Sequence, residues 1–292
     1  MLASQAKQWT ISQTRMGFAR AGIYTSPSLL IIGAQKCGTG ALFDYLSKHP
    51  DVISGNAKEI GFFSHDLLYH KGLKWYHSQF PLPLKSGKRR VTLDATPEYI
   101  YFPEVPERIY HYNRNIKMIL ILRDPVERAY SAWNMLRRRH KSSAYLQKWF
   151  KYDEKLGELA RRLLMQEEYP SFEKAVSEEI NDLSDGACLW PGFVRRGIYA
   201  DQIERYLRYF DRKQIMIIKS WRLRNETNRV LDEIASFWGL ESYDWSRNES
   251  GRHHNTGEYN SPINPHTKES LAEFYKPHNE RLYKLLGVDF GW

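Results

Sequence analysis

The stretch Leu29-Leu30-Ile31-Ile32-Gly33-Ala34-Gln35-Lys36-Cys37-Gly38-Thr39-Gly40-Ala41 decides the fold. Its four leading apolar residues fit a strand buried on both faces. A glycine-bearing turn follows, and a helix from about Ala41 to Lys48 stops before Pro50. A strand, glycine turn and helix in that order leave free N–H groups at the helix start, and glycine lets a ligand approach the backbone. Lys36 adds a positive charge and Thr39 a hydroxyl. Gln35, Lys36, Cys37, Gly38, Thr39, Gly40 and Ala41 therefore read as a cradle for a phosphate or sulfate group. The Walker A spacing G-x-x-x-x-G-K-[ST] is not met, because Thr39 follows Gly38 directly and the lysine precedes it. The spacing G-x-G-x-x-G is absent as well. A turn whose glycines only relieve strain is the competing reading.

Working outward, further strands are expected at Val91-Thr92-Leu93, Ile116 to Leu122 and Gln214 to Ile218. Helices are expected from Val126 through Arg139, over 200–210, over 228–238 and, amphipathic, over 268–286. Apolar strands alternating with helices predict an α/β fold: a P-loop-like, three-layer arrangement with a central parallel sheet flanked by helices. Residues 245–265 read as a long loop. The expected organisation is an N-terminal extension at 1–26 and one domain at 27–292, with 141–190 as a helical insertion. A second buried strand delivers Arg123-Asp124-Pro125 into a helix that carries Ser131. Ligands of open α/β sheets bind outside the carboxyl ends of the strands, where Arg123 and Ser131 could share a phosphate. A pairing of Arg123 with Asp124 or Glu127 is the plainer reading. Two strand-end anion sites in one sheet imply a ligand with two separate phosphate-like groups.

The chain has 292 residues, 43 Lys+Arg against 34 Asp+Glu, and a net charge of +9. Its 42% hydrophobic content supports a sizeable core and excludes a disordered or collagen-like chain. The basic surplus fits an anionic partner, whether nucleic acid, membrane surface, acidic glycan or nucleotide. Two cysteines, Cys37 and Cys188, make no disulfide framework. No stretch approaches the roughly 20 apolar residues of a membrane span. Neither is there a signal-peptide core, so a cytoplasmic protein is expected.

The two loops resemble those of sulfotransferases that use 3′-phosphoadenosine 5′-phosphosulfate (PAPS). Gln35 to Leu42 is similar to the 5′-phosphosulfate loop, and Leu122-Arg123-Asp124-Pro125 through Ser131 to the 3′-phosphate motif. His49-Pro50-Asp51, Lys58 to Phe63, Val105 to Ile109, Phe274 to Asn279 and Asp289 to Trp292 resemble the heparan sulfate branch. The resemblance covers about residues 27–292 and implies sulfuryl transfer from PAPS, without a metal, to a hydroxyl or amine. The implied acceptor is a small metabolite or a glycan, and no nucleic acid is needed as partner. The oligomeric state, monomer or homodimer, stays open.

The resemblance also implies roles. Lys36 would bear charge on the bridging oxygen, and Arg123 with Ser131 would hold the 3′-phosphate. Glu59 matches the base of the glycan-sulfating relatives; its place beside Phe62-Phe63 predicts partial burial and a raised pKa. Asp94 is a second catalytic candidate. The glycan enzymes commonly carry a lysine where Ala95 stands, which weighs against a heparan-like acceptor. Gly251 and Arg252 match a loop that closes over the nucleotide; relatives anchor it by a disulfide, and this chain has no cysteine there. Tyr199 would support nucleotide binding or pack in the core. A thiolate at Cys37 would be favoured at such a turn, although packing beside the phosphosulfate is its expected role. The basic run Arg137-Arg138-Arg139-His140-Lys141 is either an acceptor contact or a solvated face. A P-loop nucleotide kinase and a basic polyanion-binding protein remain the alternatives.

Overall fold

The computed structural model describes residues 2–55, 58–83, 91–185, 190–246, 259 and 261–292, with the backbone alone at 2–9, 151–152 and 184–185. The strands are β1 (Leu29–Gly33), β2 (Val52–Ser54), β3 (Val91–Ala95), β4 (Lys117–Leu122) and β5 (Ile215–Lys219). The helices of the first half are α1 (Leu2–Arg20), α2 (Thr39–Leu46), α3 (Asp66–Tyr69), α4 (Gly72–Ser78), α5 (Val105–Tyr112) and α6 (Pro125–Arg137). Those of the second half are α7 (Ser143–Tyr152), α8 (Glu154–Leu164), α9 (Phe172–Asn181), α10 (Tyr199–Leu207), α11 (Ser220–Asn225), α12 (Thr227–Trp238) and α13 (Pro265–Leu286).

Among the described residues the sheet has five strands in the order β2-β3-β1-β4-β5, all parallel. β1 and the apolar part of β4 are completely buried, as the unbroken apolar runs require. The fold is the expected P-loop-like α/β arrangement. Strand order reverses around β1, whose neighbours are β3 and β4. The crevice at such a reversal is where open sheets hold ligands.

A Cβ on Gly33 would stand 2.5 Å from Ile100 Cγ2 and 3.2 Å from the Pro97 carbonyl oxygen, so only glycine lets the segment after β3 close on β1. Helix α6 starts where Asp124 accepts from Glu127 N at 3.0 Å, with Pro125 at the first helical position. The 141–190 segment forms α7, α8 and α9, which with α6 and α13 build a second apolar cluster around Trp133, Trp149, Phe172 and Tyr275. At the N-terminus the chain forms a helix, α1, packed along α4.

Candidate active site

The ends of β1, β3, β4 and β5 open into one cleft of about 1420 Å³. Single-ligand pockets run to roughly 1,000 Å³, so this cleft has room for a nucleotide and part of a second molecule. Gln35, Lys36, Cys37, Gly38, Thr39, Gly40 and Ala41 all line it. Gly38 caps α2 with φ +106°, a conformation that L side chains rarely adopt. Lys36 also has positive φ, at 68°. A left-handed lysine beside a left-handed glycine marks a loop shaped by its surroundings rather than by local preference. Burial lowers the Lys36 pKa from the ordinary lysine value, and Arg138 and Arg123 lower it further, while Glu59 opposes them. Charges from three other segments, those of Arg138, Arg123 and Glu59, therefore act on this amine.

Arg123 and Ser131 line the same cleft. The Arg123 guanidinium donates to Glu127 Oε2 at 3.1 Å, so the plainer pairing exists and the arginine faces the cleft as well. Its five donors leave capacity for a phosphate. Sequence reasoning missed Tyr259, whose hydroxyl stands 3.0 Å from Ser131 Oγ. Tyr130 anchors the same segment by donating to the Ser261 carbonyl at 2.6 Å. Gly251 and Arg252 lie outside the described residues, as do His253 and His254.

Glu59 lines the cleft, is exposed, and has φ 63°. The partial burial expected of it is not found: Phe62 and Phe63 turn into the core while Glu59 turns out. Asp94 is the reverse case. It is 1% exposed and absent from the cleft wall. Its carboxylate accepts from the hydroxyls of Tyr76 at 2.7 Å, Tyr99 at 2.9 Å and Thr96 at 3.0 Å. Burial pushes its pKa up against those three donors. A buried carboxylate engaged by three hydroxyls and absent from the cleft wall is not placed to meet an acceptor, which tells against the catalytic reading of Asp94. Its geometry serves position instead. Thr96 Oγ1 accepts from Gly61 N at 3.3 Å, and the Ala95 carbonyl accepts from Glu59 N at 2.9 Å. The end of β3 thus grips the Glu59 loop at two points.

The thiolate expectation for Cys37 is corrected, and Tyr199 takes the second of its two expected places, packed in the core. Burial pushes the Cys37 thiol up, against the pull of Arg128 and Tyr199, so the turn does not favour a thiolate. Tyr199 is 2% exposed and does not line the cleft. Its hydroxyl donates to the Arg123 carbonyl at 2.8 Å and stands 3.7 Å from Cys37 Sγ.

Sequence reasoning also missed a charged cluster on the cleft wall. Glu98 meets Arg196 at 3.3 Å and His65 at 3.5 Å. Burial works against its charge, but His65, Arg196 and Lys148 outweigh it and hold the carboxyl below the ordinary glutamate value. The basic run divides. Arg138 and Arg139 line the cleft with Tyr145, Lys148 and Trp149 of α7, whereas Arg137 lies over the Trp133 ring at 5.1 Å.

The model of the sulfotransferase domain family matches residues 26–262. This chain belongs to that family. As a sulfotransferase, the protein uses PAPS as co-substrate. The mouse heparan sulfate glucosamine 3-O-sulfotransferase 3B1 is 29% identical, over 94% of this chain and 67% of that protein. The human bifunctional heparan sulfate N-deacetylase/N-sulfotransferase 3 is 31% identical, over 89% of this chain and 30% of that protein. The sulfotransferase spans about two thirds or less of the length of these curated relatives. A solved sulfotransferase from Alicyclobacillus acidocaldarius superimposes with a TM-score of 0.65 at 25% identity, covering 91% of this chain and 98% of its own. These relatives overturn the cytoplasmic expectation, because heparan sulfate 3-O-sulfotransferases act in the Golgi lumen. Among the described residues, no helix is long and apolar enough to cross a membrane.

Proposed function

We propose that this sulfotransferase moves the sulfuryl group of PAPS to a hydroxyl of an anionic carbohydrate. The observation that carries the proposal is the convergence of the glycine loop, Arg123, Ser131 and Glu59 on one cleft whose remaining wall includes basic and aromatic side chains. Arg138, Arg139, Lys148 and Lys58 suit an acidic chain, and Tyr145 and Trp149 suit the face of a sugar ring. The heparan sulfate enzymes among the relatives support the same acceptor class. The small-metabolite alternative leaned on the cytoplasmic expectation and loses that support. Ala95 is buried and uncharged, and Arg138, Arg139, Lys148 and Lys58 would supply the charge that a lysine gives the glycan enzymes.

In the proposed reaction the acceptor hydroxyl attacks sulfur in line with the departing 5′-phosphate oxygen. The new O–S bond forms as the old one breaks, and 3′-phosphoadenosine 5′-phosphate (PAP) carries away the electron pair. Lys36 and the loop N–H groups stabilise the charge that grows on the bridging oxygen. Glu59 takes the acceptor proton, and Arg123 with Ser131 fixes the 3′-phosphate so that sulfur is held for attack. Incubation with sulfur-labelled PAPS and heparan sulfate tests this reading. Label should pass to the polysaccharide, and Glu59→Gln should lower kcat by roughly 10²- to 10⁴-fold with PAP affinity retained. Undiminished turnover in Glu59→Gln would remove Glu59 from the mechanism. Absence of label on any polysaccharide would remove the acceptor class.

A further inference from the structure

We propose that Tyr199 is a positioning residue that sets the spacing between the two anion loops and so makes the enzyme selective for a nucleotide carrying phosphates at both ends. The 5′ loop leaves β1 and the 3′ loop leaves β4, its neighbour. Their pairing shifts register between Ile31 and Gly33. A backbone bond from Ala34 N to the Ile121 carbonyl, 2.9 Å, still joins the segments. Beyond that bond, Tyr199 contacts a residue of each loop. Its single hydroxyl donates to the Arg123 carbonyl at 2.8 Å and touches Cys37 Sγ at 3.7 Å. The ring is pinned edge-on by Trp292, with centroids 5.9 Å apart. Trp292 is held in turn by Tyr283, through its N–H at 3.0 Å and its carbonyl at 2.9 Å. One buried side chain, fixed from the C-terminus, therefore touches both loops and does not face the cleft.

The consequence follows from geometry. A nucleotide with a phosphate in each loop feels their separation, while a nucleotide with one phosphate feels one loop. Loss of the bridge leaves the Arg123 carbonyl without its partner and lets the spacing drift. Misplacement of about 1 Å is enough to cost a large factor in a two-point fit.

The inference rests on the PAPS reading, and calorimetric titration separates the two. PAP, adenosine 5′-monophosphate and adenosine 3′-monophosphate are titrated into the wild type, Tyr199→Phe and Tyr206→Phe. Tyr206 lies on the same helix and donates to the Tyr99 carbonyl at 2.8 Å, away from both loops. Tyr199→Phe should weaken PAP about tenfold while each monophosphate stays within about twofold, and Tyr206→Phe should leave all three unchanged. If Tyr199→Phe fails to fold, Cys37→Ala cuts the other end of the bridge and should weaken PAP about threefold with the same selectivity. Unchanged PAP binding, or parallel loss for all three ligands, would overturn the Tyr199 role alone. A wild type that binds no PAP would overturn both readings.

Discussion

Asp94 and Glu59 are acidic residues of adjoining segments with opposite fates, and burial separates them. Asp94 sits under three hydroxyl donors; Glu59, on a backbone turned left-handed, faces the cleft. Asp94→Asn replaces an acceptor of three hydroxyls with a group that presents its own N–H donors to some of them. It should cost about 1–3 kcal/mol, read as a lower thermal midpoint. Lys36 carries a second prediction. It must be protonated to hold phosphate, and burial lowers its pKa from 10.5. PAP affinity should therefore fall as pH rises, beginning below the range where an ordinary lysine titrates, and Lys36→Arg should flatten that fall. Sequence logic reached Lys36 and Arg123 because each stands within three residues of its strand end, and Ser131 because it lies on the helix that follows directly. It misjudged Asp94 because the tyrosines that enclose it come from α4 and from the turn after β3. Tyr259 and Glu98 were invisible for the same reason: their partners lie 128 and 98 residues away.

At the scale of elements, the buried runs of β1 and β4 and the helices behind them were legible, since an apolar strand ending in a charged turn is a local signal. β2 was not, because Val52–Ser54 is too short to show a period. α3 and α4 hid among aromatic residues whose burial depends on distant partners. The close approach at the end of β1 gives a test. Gly33→Ala would press a methyl group against Ile100 and the Pro97 carbonyl, costing about 1–3 kcal/mol and disturbing the start of the anion loop. Chemical denaturation should show the loss. The α4 side chain of His77 offers another. It stacks on Tyr24 at 4.0 Å and meets the Tyr112 hydroxyl at 3.2 Å. Burial lowers its pKa from 6.5 to about 4. Between those values the unfolded chain binds a proton that the folded chain does not, so stability should decline as pH falls from 6.5 towards 4. In His77→Phe the thermal midpoint should drop less across that interval than in the wild type.

For the whole molecule, the net charge of +9 now has a location. Lys36, Arg123, Arg138, Arg139, Lys148, Lys58, Arg224 and Arg229 all border one cleft, facing the carboxylates of Glu59, Glu98 and Glu226. The family follows from the two loops, whereas the acceptor is a matter of the wall formed by the residues after α6, by α7 and by the segment after β3. Exposed Arg138 and Arg139 should act through a salt-screened attraction, so the KM for heparan sulfate should rise with ionic strength, and less steeply in an Arg138→Ala, Arg139→Ala variant. In the proposed reaction a single nucleotide bridges the β1 and β4 loops. Calorimetric titration of PAP and adenosine 5′-monophosphate into Lys36→Ala and Arg123→Ala tests it most directly. Lys36→Ala should weaken both ligands, and Arg123→Ala should weaken PAP by roughly tenfold or more while leaving the monophosphate within about twofold. Equal effects of Arg123→Ala on both nucleotides would mean that the two loops do not hold one ligand.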